Sequence, residues 1–158
     1  MHIPFGVTRI NQIGDQTISV ILKKMLFQKY NITIDKIKST VVRFPYDAEI
    51  LNSHFYYWLP GTGYKRSFLW ITKISDLNMC ILINLDSKKI FQVSMRLNDE
   101  IFNKEFILSG EIIHTDSTNY FMSEDIISLY DYNTDIEEDI SKMNYLQRIK
   151  IIDELIKE

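Results

Sequence analysis

From His54 to Leu129 the chain is a succession of aromatic and β-branched runs divided by short polar connectors, and nothing else in the sequence limits the fold as much. The runs are His54 to Leu59, Arg66 to Ile74, Asn78 to Leu85, Ile90 to Leu97, Phe106 to His114 and Asn119 to Leu129. Side chains of this kind suit a pleated, half-buried surface, so each run is expected as a strand. Gly61-Thr62-Gly63, Ser75-Asp76-Leu77 and Asp86-Ser87-Lys88-Lys89 carry turn residues and are too short for a crossover. Neighbouring strands are therefore expected to pair antiparallel, as hairpins.

Helices are expected before and after this meander. Gln16 to Tyr30 sets Ile18, Ile21, Leu22, Met25 and Leu26 at steps of three and four, with Lys23, Lys24 and Lys29 off that face. That spacing predicts an amphipathic helix. Between Glu137 and Glu158, Ile140, Met143, Leu146, Ile149, Ile152 and Ile156 fall on one face among charged residues, which predicts a long closing helix. Arg43-Phe44-Pro45-Tyr46-Asp47 breaks the pattern after the first helix and reads as a loop. The expected fold is α+β, an antiparallel sheet flanked by an N-terminal and a C-terminal helix.

At roughly 100 to 200 residues per domain, 158 residues make a single domain, 1–158. An apolar content of 46% with five Gly and three Pro excludes a disordered or collagenous chain. The net charge is −3, so bulk positive charge does not argue for nucleic-acid binding. The charge is uneven, however: residues 1–73 hold ten Lys or Arg against four Asp or Glu, and residues 74–158 hold eight against seventeen. An anion-facing front half follows as an expectation. Cys80, the single cysteine, sits in an apolar run and is expected in the core; with no partner it asks for no oxidising compartment. No apolar run approaches the roughly 18 residues of a membrane helix. A cytoplasmic protein without membrane contact is the expectation.

Chemistry-bearing motifs are sparse. His2, His54 and His114 lie far apart and have no zinc-ligand spacing with Cys80, so no metal is expected. Leu108-Ser109-Gly110-Glu111 lacks the glycine that precedes a hydrolase nucleophile. Gly61-Thr62-Gly63-Tyr64-Lys65-Arg66 runs into a strand, where a phosphate loop would open a helix. Asp131 to Asp139 is acidic but has no calcium-loop spacing, and reads as a solvated turn and an acidic helix start.

Taken in order, several strings resemble the covalent nucleotidyltransferase superfamily, and within it the guanylyltransferase domain of mRNA-capping enzymes. They are Arg43-Phe44-Pro45-Tyr46; Pro60-Gly61-Thr62-Gly63-Tyr64-Lys65 with the strand after it; Ser109-Gly110-Glu111; Tyr120 to Ile127; and Tyr145-Leu146-Gln147-Arg148. The resemblance spans nearly the whole chain and implies the first half of a nucleotidyltransferase (ATP-grasp-like) domain, without the later motifs or the OB-fold. In this register the nucleophilic lysine of the family falls on Pro60, which has no amine to attack a phosphate. The aspartate of the same motif falls on Thr62, that of Asp-Gly-Glu on Ser109, and the base-stacking aromatic near Ser123.

The resemblance thus implies a catalytically inactive, guanylyltransferase-like module, without catalytic residues or a cofactor of its own. Such a module would bind nucleotide, capped RNA or a partner protein in a capping or transcription assembly, viral ones included. Gly63, Lys65, Arg66, Lys73 and Glu111 are its candidate nucleotide- or RNA-binding residues, with Lys65 and Glu111 expected to share a cleft. Tyr56, Tyr57 and Trp58 either stack on bases or pack alternately in the core. Glu111 is either a ribose or metal ligand or a surface acid. Two alternatives remain: an interaction domain on the same scaffold, and a fragment of a split capping enzyme. A sheet without its second layer would expose apolar surface, so a protein partner or a homo-oligomer is expected.

Overall fold

The computed structural model describes residues 3–37, 66–115 and 118–157. Seven strands and two helices occur among them: β1 (Ile3–Gln12), α1 (Gln16–Tyr30), β2 (Arg66–Ile74), β3 (Leu77–Asn84), β4 (Ile90–Met95), β5 (Lys104–His114), β6 (Asn119–Asp131), β7 (Ile136–Glu138) and α2 (Tyr145–Lys157). The expected strand His54 to Leu59 and the loop at Arg43 to Asp47 lie outside the described residues.

Local chemistry sets the hairpins. β2 and β3 meet at a two-residue turn with Ile74 opposite Leu77, and both turn residues, Ser75 and Asp76, have positive φ (50° and 63°). That is the tight turn whose twist matches a right-handed strand pair. β3 pairs onward with β4, and β2 pairs on its other edge with β5, which continues to β6. All these pairs are antiparallel.

β1 changes the architecture from the one expected. It pairs with β6 through Ile3 to Val7 and with β4 through Val7 to Gln12, so the sheet order β1-β4-β3-β2-β5-β6 returns to β1. The result is a closed six-stranded antiparallel barrel with β7 outside it on β6. The expected open α+β sheet flanked by two helices, and with it the half-nucleotidyltransferase fold, is overturned. Ile3 to Gln12 alternates too weakly, around Gly6 and Thr8, to announce a strand, and its register breaks between Val7 and Arg9 where it crosses from one neighbour to the other. Closure also removes the reason for expecting an exposed second face, because the sheet supplies its own partner layer.

The strands bury both faces, which explains their continuous apolar runs. Along β2, Leu69 and Ile71 join the barrel core with Cys80, Leu82, Phe106, Leu108 and Phe121, whereas Phe68 and Trp70 point the other way, with Ile81, Ile83 and Ile107, under α1. Six strands enclose only enough space for side chains, and these fill it. Among the described residues the barrel interior is a packed core.

Helix α1 starts at Asp15, whose carboxylate accepts from the Thr17 and Ile18 amides, and ends at Asn31 in the left-handed conformation (φ 55°). The Asn31 amide donates to Phe27 O and the Ile32 amide to Leu26 O, which closes the last turn. Leu22 and Leu26 are its buried contacts with the barrel wall, while Ile18 and Ile21 of the expected apolar face are half exposed.

The tail differs from the long helix expected from Glu137. Residues 136–138 form β7, Ile140–Lys142 a single 3-10 turn, and only Tyr145–Lys157 is α-helical. A capping box marks the start: the Gln147 amide donates to Asn144 Oδ1 (3.0 Å) and the Asn144 amide to Gln147 Oε1 (2.8 Å). Arg148 ties this end to the barrel through two bonds to the Asp125 carboxylate (2.7 and 3.0 Å) and one to Met143 O. Ile140, Ile152 and Leu155 are buried against the barrel core, but Leu146, expected on the apolar face, is 66% exposed.

Candidate functional site

Of the expected site residues Arg66, Lys73 and Glu111 are described, with Lys73 apart from the other two; the cleft expected between Lys65 and Glu111 lies outside the described residues. Gly63 and Lys65 lie outside the described residues, as do Pro60 and Trp58. Arg66 stands opposite Glu111 in the β2–β5 register, at the end of β2 that receives the segment carrying them. Arg66 is exposed and Glu111 is buried, 6% exposed, and engaged. Lys73 lies at the other end of β2, seven residues along the strand, where its Nζ sits 5.7 Å from the Tyr132 ring. Arg66 and Lys73 therefore serve different ends of the barrel.

Lys73 borders a polar cluster that the sequence does not announce. Glu105, at the start of β5, is 1% exposed. Its Oε1 accepts from Tyr30 Oη and from Trp70 Nε1 (3.0 Å), and its Oε2 accepts from Lys29 Nζ and Tyr132 Oη. Lys29 also lies over the Tyr130 ring, 4.9 Å from its centre, and within 5.6 Å of the Tyr30 and Tyr132 ring centres. Four donors for two carboxylate oxygens leave this acid nothing to offer a substrate, and the cluster joins the end of α1 to β2, β5 and the end of β6. It is a structural junction. Trp70, buried within it, cannot report directly on a surface ligand.

Burial pushes the Glu105 carboxyl upward, but the hydrogen bonds from Lys29, Tyr132 and Tyr30 outweigh it and hold the group below its ordinary value of 4.5. Burial, then the bond to Glu105, raises Tyr132 to about 12 and moves Tyr30 in the same direction. A carboxylate lowered in the folded state contributes stability above its unfolded value, which is lost as pH falls through the folded one. A tyrosine raised in the folded state contributes stability below its unfolded value, near 10, which is lost as pH rises towards the folded one. Stability should therefore fall below pH 4.5 and again above pH 10. Urea titrations across pH check this; in Tyr132→Phe the alkaline limb should be shallower, and an unchanged limb would disconnect it from Tyr132.

The open polar surface lies elsewhere, where β1 leaves β4 for β6. A groove of about 690 Å³ is lined by Gly6, Val7, Thr8, Arg96, Thr115, Thr118, Asn119 and Tyr120. The bulge in β1 sets Thr8 there, its hydroxyl donating to Ser94 O (3.0 Å). The β5–β6 connection supplies the Thr115 and Thr118 side, fixed by the bond from Thr115 Oγ1 to Thr118 O and by the pair His114 Nδ1 and Asn119 Oδ1 (2.7 Å). Arg96 follows β4, exposed, and forms no ion pair among the described residues. A guanidinium with free donors, an aromatic ring at half exposure and hydroxyls around them can hold an anion and stack a planar group. Neither Arg96 nor Tyr120 was expected as a binding residue, because no motif joins them; closure of the barrel does.

Among the described residues no group of three or more His, Cys, Asp or Glu side chains could hold a metal ion, and no helix is long and apolar enough to cross a membrane. Comparison with protein-family models, with curated proteins and with solved structures gave no match.

Proposed function

We propose that the protein is a non-catalytic binding module that holds a phosphate-bearing nucleotide, free or at the end of a capped RNA, in the groove between β1 and the β5–β6 connection. The observation that carries this is the unpaired Arg96 beside Tyr120 in a hydroxyl-lined groove. Arg96 binds phosphate, Tyr120 stacks on the base, and the Thr8 and Thr115 hydroxyls, whose protons go to Ser94 O and Thr118 O, accept from the sugar hydroxyls. The filled barrel supports a surface site over an internal one. A place in a cytoplasmic capping or transcription assembly is carried over from the motif strings of the sequence and not from the fold, and Pro60, which has no amine, leaves binding without covalent transfer.

Fluorescence polarisation with a labelled cap analogue and with a short capped oligoribonucleotide tests this. Arg96→Ala should weaken binding of both about tenfold, and reduce the salt slope for the oligonucleotide by about one, since one phosphate contact is removed. Lys89→Ala, an exposed cation on the β3–β4 turn, should change affinity less than about twofold. Equal losses in the two variants would mean that general charge, and not this groove, attracts the ligand.

A further inference from the structure

The barrel closes on itself, but β7 does not. It pairs with β6 through Leu129 to Asp131, and its opposite edge is unpaired among the described residues. Two shallow grooves flank it. One, of about 430 Å³, runs past Tyr30, Ile127 and Ser128 to Glu137 and Asp139; the other, of about 510 Å³, holds Ile136, Met143, Ile151 and Glu154, and Glu138 borders both. Successive residues of an extended chain point to opposite faces, so a strand laid beside β7 would send alternate side chains into the two grooves.

The chemistry of the grooves selects the occupant. Glu137 and Glu138 are exposed and form no ion pair among the described residues. Apolar isoleucines lie beside them, as the stem of a lysine or arginine requires under a charged head. Independently of the acids, Ser128 lines the first groove at 8% exposure, and its Oγ has no hydrogen-bond partner. An orphaned hydroxyl at such a position is costly unless a ligand completes it. A second copy of this edge is a poor occupant, because it would set Glu137 and Glu138 against their own kind.

We propose that β7 is a docking edge for an extended, lysine- or arginine-bearing segment of a partner protein, which adds to it as a further antiparallel or parallel strand. This site is separate from the nucleotide groove. The full chain is titrated against a fluorescein-labelled short peptide of alternating Lys and Thr, its Glu-Thr counterpart, and the Lys-Thr peptide with alternate backbone amides methylated. The Lys-Thr peptide should bind and the Glu-Thr peptide should not. Backbone methylation, which removes ladder donors, should weaken binding about tenfold, as should the double variant Glu137→Gln, Glu138→Gln. Arg96→Ala should leave it unchanged, which separates this outcome from the fate of the nucleotide groove. Equal binding of the methylated and unmethylated peptides would overturn strand addition in favour of diffuse charge attraction, and no binding of either would overturn the docking edge itself.

Discussion

Gly110→Ala should destabilise the protein by about 3 kcal/mol, or on the order of 10 °C in melting temperature for a chain of this size. A Cβ built on Gly110 would lie 2.1 Å from Met122 O and 2.9 Å from the Phe121 ring. The first is backbone of the adjacent strand, so no rotamer change relieves it. β5 faces Ser123 there and its register with β6 shifts between Ser109 and Gly110, so the close approach belongs to the irregularity that lets the two strands bend within the barrel. Gly14→Ala is the internal control, because nothing lies within 4 Å of its added Cβ. It should change stability by less than about 0.5 kcal/mol. Urea denaturation of the two variants checks the pair, and similar stabilities would show that the β5–β6 contact yields more easily than its geometry implies.

Glu105→Gln should cost about as much, near 3 kcal/mol, although it changes almost no volume. The amide keeps one acceptor oxygen and turns the other position into a donor, facing hydroxyl or ammonium donors. Three of the four groups bonded to Glu105, those of Tyr30, Trp70 and Tyr132, are uncharged donors at the end of α1, on β2 and just after β6. Lys29 is the exception at 43% exposure, and its own removal in Lys29→Met should cost less, about 1 kcal/mol, because water already shares it. The order of these two losses matters more than their size. If Lys29→Met proved the more damaging, the cluster would be an ion pair with ornaments instead of a carboxylate held by neutral donors.

Local periodicity makes most elements legible in the sequence. Gln16 to Tyr30 and Arg66 to Ile74 have the boundaries expected from the side-chain pattern, and the turn at Ser75 and Asp76 falls where polar residues interrupt two apolar runs. Cys80 is buried as expected. What stayed hidden was closure. It depends on one strand, Ile3 to Gln12, whose partners on β4 and β6 are distant in sequence (Gln12 opposite Phe91, Ile3 opposite Ser123), and a long-range pairing leaves no local trace. The tail departs from its periodicity for a related reason: Ile140 fits a helical stripe with Ile152, yet a 3-10 turn also buries it, and Ile136 to Glu138 takes its strand geometry from β6.

The candidate site was the least legible part. The strings that suggested a nucleotide cleft place Arg66 and Glu111 opposite one another, but Gly110 has a steric reason to be glycine and Arg148 a structural partner in Asp125. Motif order had no means of separating such packing roles from binding roles. Arg96 and Tyr120 come together only because β1 bridges β4 and β6, so their shared groove was invisible until the barrel was closed.

Amide chemical-shift mapping during a titration with a cap analogue tests the central claim most directly, because it locates the ligand without a variant. The nucleotide groove predicts progressive shifts confined to Gly6 to Thr8, Arg96 and the Thr115 to Tyr120 region, with the β2 start at Arg66 and the Glu105 cluster unmoved. Shifts centred on Arg66 and Glu111, or a spectrum that does not change at saturating analogue, would contradict it.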